Sequence, residues 1–121
     1  MNLSYEHKRY PVEYLIFQLE DPKMIDRFIE LDHTIWTAYL ESNPGFIAKE
    51  VWVNEENPGE LHTVVIWETM EQWKVIPLEE LKDTTKKFDQ AFGSPYKITR
   101  RLHKEYNHGL YKVRHYEKDG K

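Results

Sequence analysis

The chain contains no cysteine, so neither a disulfide nor a thiolate metal site is open to it. It has no basic segment leading into a short apolar run at its start, and no long apolar run anywhere. No signal peptide and no membrane span are therefore expected, and the cytoplasm is the default location. There is no Gly-rich phosphate loop and no strand-turn-helix serine elbow, so nucleotide binding and serine hydrolysis have no support. The six histidines, His7, His33, His62, His103, His108 and His115, include no i, i+4 pair. That leaves convergence of His62, His103 and His115 across strands as the one route to a metal site, and neither a metal nor another cofactor is expected. The net charge of -4 argues against general nucleic-acid binding. Internal repeats and low-complexity segments are also missing.

What is present fits one domain. At 121 residues the chain can bury a real core without staples. Its charge is uneven: residues 97–121 hold eight Lys/Arg against three Asp/Glu, and the rest of the chain is acidic. The basic end reads either as the wet face of a terminal strand or as a patch for an anionic ligand or partner. Four Trp and eight Tyr suit cores, interfaces and ligand sites alike.

Residues 1–11 are polar and read as a flexible arm. Val12 to Leu19 is rich in β-branched and aromatic residues and reads as strand one. Asp21-Pro22 is a helix start, with Asp as N-cap and Pro at the first position. That helix runs to about Ser42, where Asn43-Pro44-Gly45 stops it. Phe46 to Asn54 and Leu61 to Glu68 form a hairpin around the turn signal Asn57-Pro58-Gly59. Thr69 and Gln72 form a capping box for a short helix, Met70 to Ile76. Leu78 to Phe92 is a longer helix ending at Gly93, with Leu78, Leu81, Phe88 and Phe92 at helical spacing. Tyr96 to Tyr106 is strand four. Asn107-His108-Gly109 is a turn, and Leu110 to Tyr116 is a fifth strand returning on strand four.

The order βαββαβ with a C-terminal strand extension is an α+β, ferredoxin-like arrangement, with helices on one face of an antiparallel sheet. Residues 12–106 are taken as that domain and 107–121 as the extension. Strand one puts Leu15 and Phe17 on one face and Tyr14 and Ile16 on the other. Val64-Val65-Ile66-Trp67 is apolar without a break. Helices can cover only one face, so a second sheet is expected on the other, giving a homodimeric α/β barrel. The competing cover is the C-terminal hairpin.

On a wheel of 100° per residue, the apolar arc of the first helix includes Phe28, Leu31, Ile35, Trp36 and Tyr39. Asp32 falls in the middle of this arc. A carboxylate there must be paired, hydrogen-bonded or protonated. Asp32 is thus a candidate catalytic residue, with His33 at the edge of the arc as a second; the competing reading makes Asp32 part of the core architecture. Trp36, Tyr39, Trp67 and Trp73 are candidate substrate-binding walls, and each serves equally as core. Lys49 and Glu50 point to opposite faces of their strand. One of them is placed to pair with a charge such as Asp32, and the sequence leaves open which.

The segments Phe28-Ile29-Glu30-Leu31-Asp32, Ile35-Trp36-Thr37, Pro44-Gly45-Phe46, Lys49-Glu50-Val51-Trp52, Val65-Ile66-Trp67 and Glu71-Gln72-Trp73-Lys74 together resemble a small, largely cyanobacterial family. That family is itself similar to the antibiotic-biosynthesis-monooxygenase-like dimeric α/β barrels. The resemblance covers about Val12 to Pro77. It implies the fold, and it implies a range of activities that includes cofactor-free monooxygenases and haem-degrading enzymes. In the haem-degrading members a strand Trp is accompanied by a helical His and a strand Asn. Trp67 matches the Trp, but Met70 to Ile76 and Leu78 to Phe92 hold no His, and strand one has Gln18 and no Asn. The chain departs from the haem-degrading pattern there.

Three functions follow as expectations. The first is binding of a small apolar or aromatic molecule between helix one and the sheet, with Asp32 on its polar atom and as general base if chemistry follows. The second is a cofactor-free monooxygenase. The third is a non-enzymatic dimerisation or interaction protein. An open cavity beside Asp32 favours the first two, and a closed, dry surround favours the third.

Overall fold

The computed structural model describes residues 8–105 and 109–118, with residues 104 and 105 as backbone only. The arm expected at the N-terminus lies outside the described residues as far as residue 7, as do Asn107 and His108 of the expected turn.

Strand β1 spans Tyr10–Leu19. A continuous helix, α1, follows over residues 22–41. Asp21 caps it, its carboxylate accepting from the Lys23 amide at 3.0 Å, and Pro22 begins it. The helix opens as a 3-10 turn, Pro22–Met24, and continues as an α-helix over Ile25–Leu31. It widens to a π-helix over Asp32–Thr37 and closes as an α-helix at Ala38–Glu41. Strands β2 (Phe46–Val53) and β3 (Glu60–Trp67) form the hairpin. Gly59 in its turn has φ of 90°, a conformation that costs glycine little. Helix α2 is Met70–Lys74, its N-terminus capped by Thr69, whose Oγ1 accepts from the Gln72 amide at 3.0 Å. Helix α3 is Leu78–Phe92 and stops at Gly93 in the left-handed region. Strand β4 is Tyr96–Arg101, the short helix α4 is Leu102–Glu105, and β5 is Leu110–Lys112.

The sheet order is β2-β3-β1-β4, all antiparallel, with β5 on β1. This is the ferredoxin-like arrangement. Two expectations are corrected. The expected α/β barrel does not form: the sheet is open, running from an edge at β2 to an edge at β4. The competing cover, the C-terminal segment, lies on the face opposite the helices, where Leu110 of β5 packs. Val12, Val64 and Ile66 of that face are buried, with Tyr10, Tyr14 and Leu110 packed against them. The fifth strand is also shorter than expected and does not return on β4. β4 pairs only with Leu15 to Leu19 of β1 and then turns into α4. The free backbone groups of β1 at Tyr10 to Val12 are taken up by β5, which satisfies an edge that would otherwise stay open.

The helices cover the other, inner face. Phe28 of α1 sits at the centre of an aromatic cluster, 5.3 Å from Phe17, 4.9 Å from Phe88, 5.3 Å from Phe92 and 5.5 Å from Tyr96 between ring centroids. At the far end of the same face a second cluster joins Leu40, Val65 and Trp67 to Phe46, Trp73 and Ile76. Gly45 permits that packing, because a Cβ there would lie 2.5 Å from Cβ of Gln72. Between these two clusters the inner face is not filled.

Candidate functional site

That gap is a cavity of about 810 Å³. It is bounded by β1, β3, β2 and β4 on the sheet side and by α1, α2 and α3 on the other. Asp32 lines it and is 5 % exposed. Lys49 of β2 donates from Nζ to Asp32 Oδ2 at 2.6 Å and to Thr37 Oγ1 at 3.0 Å. Both charged side chains of this ion pair are 7 % exposed.

The π-helical turn explains how one ammonium reaches both partners. Residues i and i+5 stand about 140° apart on an α-helix of 3.6 residues per turn. A π-turn, with its i→i+5 bonding, brings them nearly one above the other. Asp32 and Thr37 are the two ends of the π segment. The register also decides between the two charged neighbours on β2. Lys49 lies opposite Val65, an inner-face residue. Glu50 points outward and accepts from Trp52 Nε1 at 2.9 Å.

Glu13 lies on the other side of Val65 in the same row of the sheet, on β1. Its Oε1 accepts from the indole Nε1 of Trp67 at 3.2 Å, and it too lines the cavity. Burial pushes its carboxyl above the ordinary range, opposed by the Trp67 hydrogen bond and by the charges of Lys49, Lys74 and Arg101. Sequence reading missed Glu13. The signal was its parity with Leu15 and Phe17, which had been placed on one face.

The aromatic walls are Trp36, Trp67 and Trp73. Trp67 is 1 % exposed and stacks on Trp73, with centroids 6.2 Å apart and planes within 3°. Lys74 lies over the Trp73 ring at 4.3 Å. The exposed lining is basic, with Lys74, Lys82, Lys86 and Arg101 against Asp89. Two of the sequence candidates stand apart. His33 is exposed and does not line the cavity. Tyr39 packs beside Leu40 and Trp67, and its hydroxyl donates to Glu80 Oε1 at 2.7 Å. Burial, together with that hydrogen bond, pushes its phenol up to about 12.

Among the described residues no three His, Asp or Glu side chains are grouped to hold a metal ion. No helix among them is long and apolar enough to cross a membrane.

No family model and no curated protein matches the chain. Solved structures do. SnoaB, a cofactor-independent oxygenase from Streptomyces nogalater, is similar at a TM-score of 0.52 and 11 % identity, over 76 % of this chain and 92 % of that one. A monooxygenase from the gene ActVA-Orf6 of Streptomyces coelicolor, in complex with nanaomycin D, is similar at 0.55 and 12 %, over 90 % of each chain. A conserved protein from Methanosarcina mazei is similar at 0.52 and 17 %, over 82 % and 98 %. At such identities the likeness shows the fold alone, the ferredoxin-like arrangement described above.

Proposed function

We propose that this chain binds a small, flat, apolar or aromatic molecule in the cavity between α1 and the sheet and oxygenates it without a metal or flavin. The observation that carries the reading is the open cavity beside the buried Asp32–Lys49 pair, walled by Trp36, Trp67 and Trp73. A dry, closed surround at Asp32 would have favoured a purely structural role. Sites for such molecules are mostly apolar with a few convergent polar groups, and this cavity has that character. Two proteins of the same fold are described as a cofactor-independent oxygenase and a monooxygenase, which favours oxygenation over binding alone.

The chemistry sets the demands on the residues. With no cofactor, the substrate itself must supply the electrons that reduce dioxygen. Two hydrogens leave an activated carbon, one oxygen atom enters it, and the other departs as water. The substrate must first give up a proton, so a carboxylate beside the bound ring and a cation to hold the resulting anion are what the site needs. In our reading Asp32 fixes the Lys49 ammonium, and Lys49 supplies the positive charge.

The test is oxygen consumption with a panel of hydroxylated polycyclic aromatics, comparing wild type with Asp32→Asn. One dioxygen consumed per product, and a loss of rate in the variant, supports the reading. No uptake across the panel overturns it.

We further propose that the chain works as a homodimer. On the outer face Trp52 is 45 % exposed and packs edge-on against Tyr14, an aromatic surface suited to a second copy. Light scattering should give twice the chain mass for wild type and the single-chain mass for Trp52→Glu. A single-chain mass for wild type overturns this.

A further inference from the structure

We propose that Glu13 is the residue that selects the ligand, by accepting a hydrogen bond from a hydroxyl carried on a flat aromatic ring. The proposal rests on the cavity reading above and adds the residue that reads the occupant's polar group.

The two inner carboxylates are in different situations. Asp32 is neutralised by an ion pair with Lys49, which donates to its Oδ2 at 2.6 Å. Glu13 receives one donor, the Trp67 indole, on Oε1. Its Oε2 has no hydrogen-bond partner among the described residues. An ionised carboxylate offers about four acceptor sites; Oε2 is open to the cavity, so an occupant that displaces water from it without donating a hydrogen bond binds at a cost. A ligand hydroxyl donated to Oε2 would avoid that cost. An ether or a bare hydrocarbon of the same shape would not.

The surrounding geometry points the same way. The bond that holds Oε1 also fixes the Trp67 ring, and Trp73 lies parallel to that ring. The acid and the aromatic wall are therefore locked together by one contact. A ring resting on the tryptophan wall carries its substituent toward Glu13. The cations facing Glu13 are Lys49 from β2, Lys74 from α2 and Arg101 from β4. They favour the ionised, accepting form and would also stabilise negative charge on the ligand oxygen as it donates. If the transfer goes to completion, the ligand O–H bond breaks and a Glu13 Oε2–H bond forms. The electron pair then stays on the ligand oxygen as phenolate. This step needs no oxidant and delivers the electron-rich ring that oxygenation requires.

The test uses two probes that share a flat body, 2-naphthol and 2-methoxynaphthalene, titrated by calorimetry. Wild type should bind the naphthol about tenfold more tightly or better, the size expected of a hydrogen bond to a charged acceptor. Glu13→Gln should bring the ratio close to one. Its amide oxygen still accepts from Trp67, while its NH2 group donates equally to a hydroxyl or an ether. Asp32→Asn should weaken both probes and keep their ratio. Equal affinities in wild type, or a ratio that survives in Glu13→Gln, overturns the assignment of Glu13 and leaves the cavity reading standing. No binding of either probe to wild type overturns both.

Discussion

The two faces of the sheet each carry a carboxylate among aromatic rings, and the two behave in opposite ways. On the outer face Glu60 has three donors. Its Oε2 accepts from His62 Nε2 at 2.6 Å and Asn54 Nδ2 at 3.2 Å, and its Oε1 accepts from Asn57 Nδ2 at 2.7 Å. The His62 hydrogen bond, and then those of the two asparagines, pull its carboxyl down to about 2. On the inner face Glu13 has one donor and sits against a cavity, and burial pushes it up. One residue type is driven in two directions by the count of donors against the loss of water. The outer cluster is closed on itself, while the inner one has acceptor capacity to spare, and the proposed ligand site rests on that difference.

The largest expected break in this comparison comes from Lys49→Met. It leaves Asp32 buried without its cation, and removing one partner of a buried ion pair costs about 3–5 kcal/mol. Urea unfolding measures it. The double variant Asp32→Leu with Lys49→Met should recover most of the loss, because replacing the whole pair with apolar groups is often neutral. A single variant within about 1 kcal/mol of wild type would mean that the pair is not isolated from water, on the same reasoning.

The second expectation separates the two carboxylates by pH. The folded value of Glu60 is lowered, so its stabilising contribution is present above the unfolded carboxylate range and is lost as pH falls through about 2. The deficit of Glu60→Gln relative to wild type should therefore shrink in acid. The folded value of Glu13 is raised, so its contribution is fully present below the unfolded range and is lost as pH rises through the folded value. Glu13→Gln should therefore gain on wild type as pH rises. Unfolding of both variants across pH gives the two slopes, and slopes of the same sign would erase the contrast.

How much of this was legible in the sequence depended on how local the cause was. The start of α1 at Asp21-Pro22 and the span of α3 between Pro77 and Gly93 were readable, because caps and stops act within one turn. Asp32 was readable as an acid on an apolar arc. Its partner was not: adjacent residues on a strand face opposite ways, and only the pairing of Lys49 with Val65 decides between Lys49 and Glu50. The π segment that joins Asp32 to Thr37 was invisible, because i→i+5 bonding leaves no fixed mark in a sequence. The barrel was inferred from two apolar faces, and Leu110 of β5, pairing where no local rule sends it, is part of what covers the second face. Glu13 was there to be found by alternation alone. As the charged member of an inward-facing row, it carries the same mark as Asp32 on its helix.

The smallest expected effect tests the two faces at adjacent residues. Tyr14 follows Glu13 in β1 and points to the other side, where its hydroxyl is 2.9 Å from His62 Nδ1. In the neutral ring Nε2 donates to Glu60, so Nδ1 accepts from the tyrosine. Tyr14→Phe removes that one hydrogen bond and should cost about 0.5–1.5 kcal/mol in urea unfolding. It should leave the preference for 2-naphthol over its methyl ether as it is in wild type, because no outer-face residue among those described lines the cavity. Glu13→Gln, one residue earlier, should abolish that preference. If Tyr14→Phe also abolishes it, the cavity is coupled through the sheet to the Tyr14–His62–Glu60 chain, and the two faces form one site.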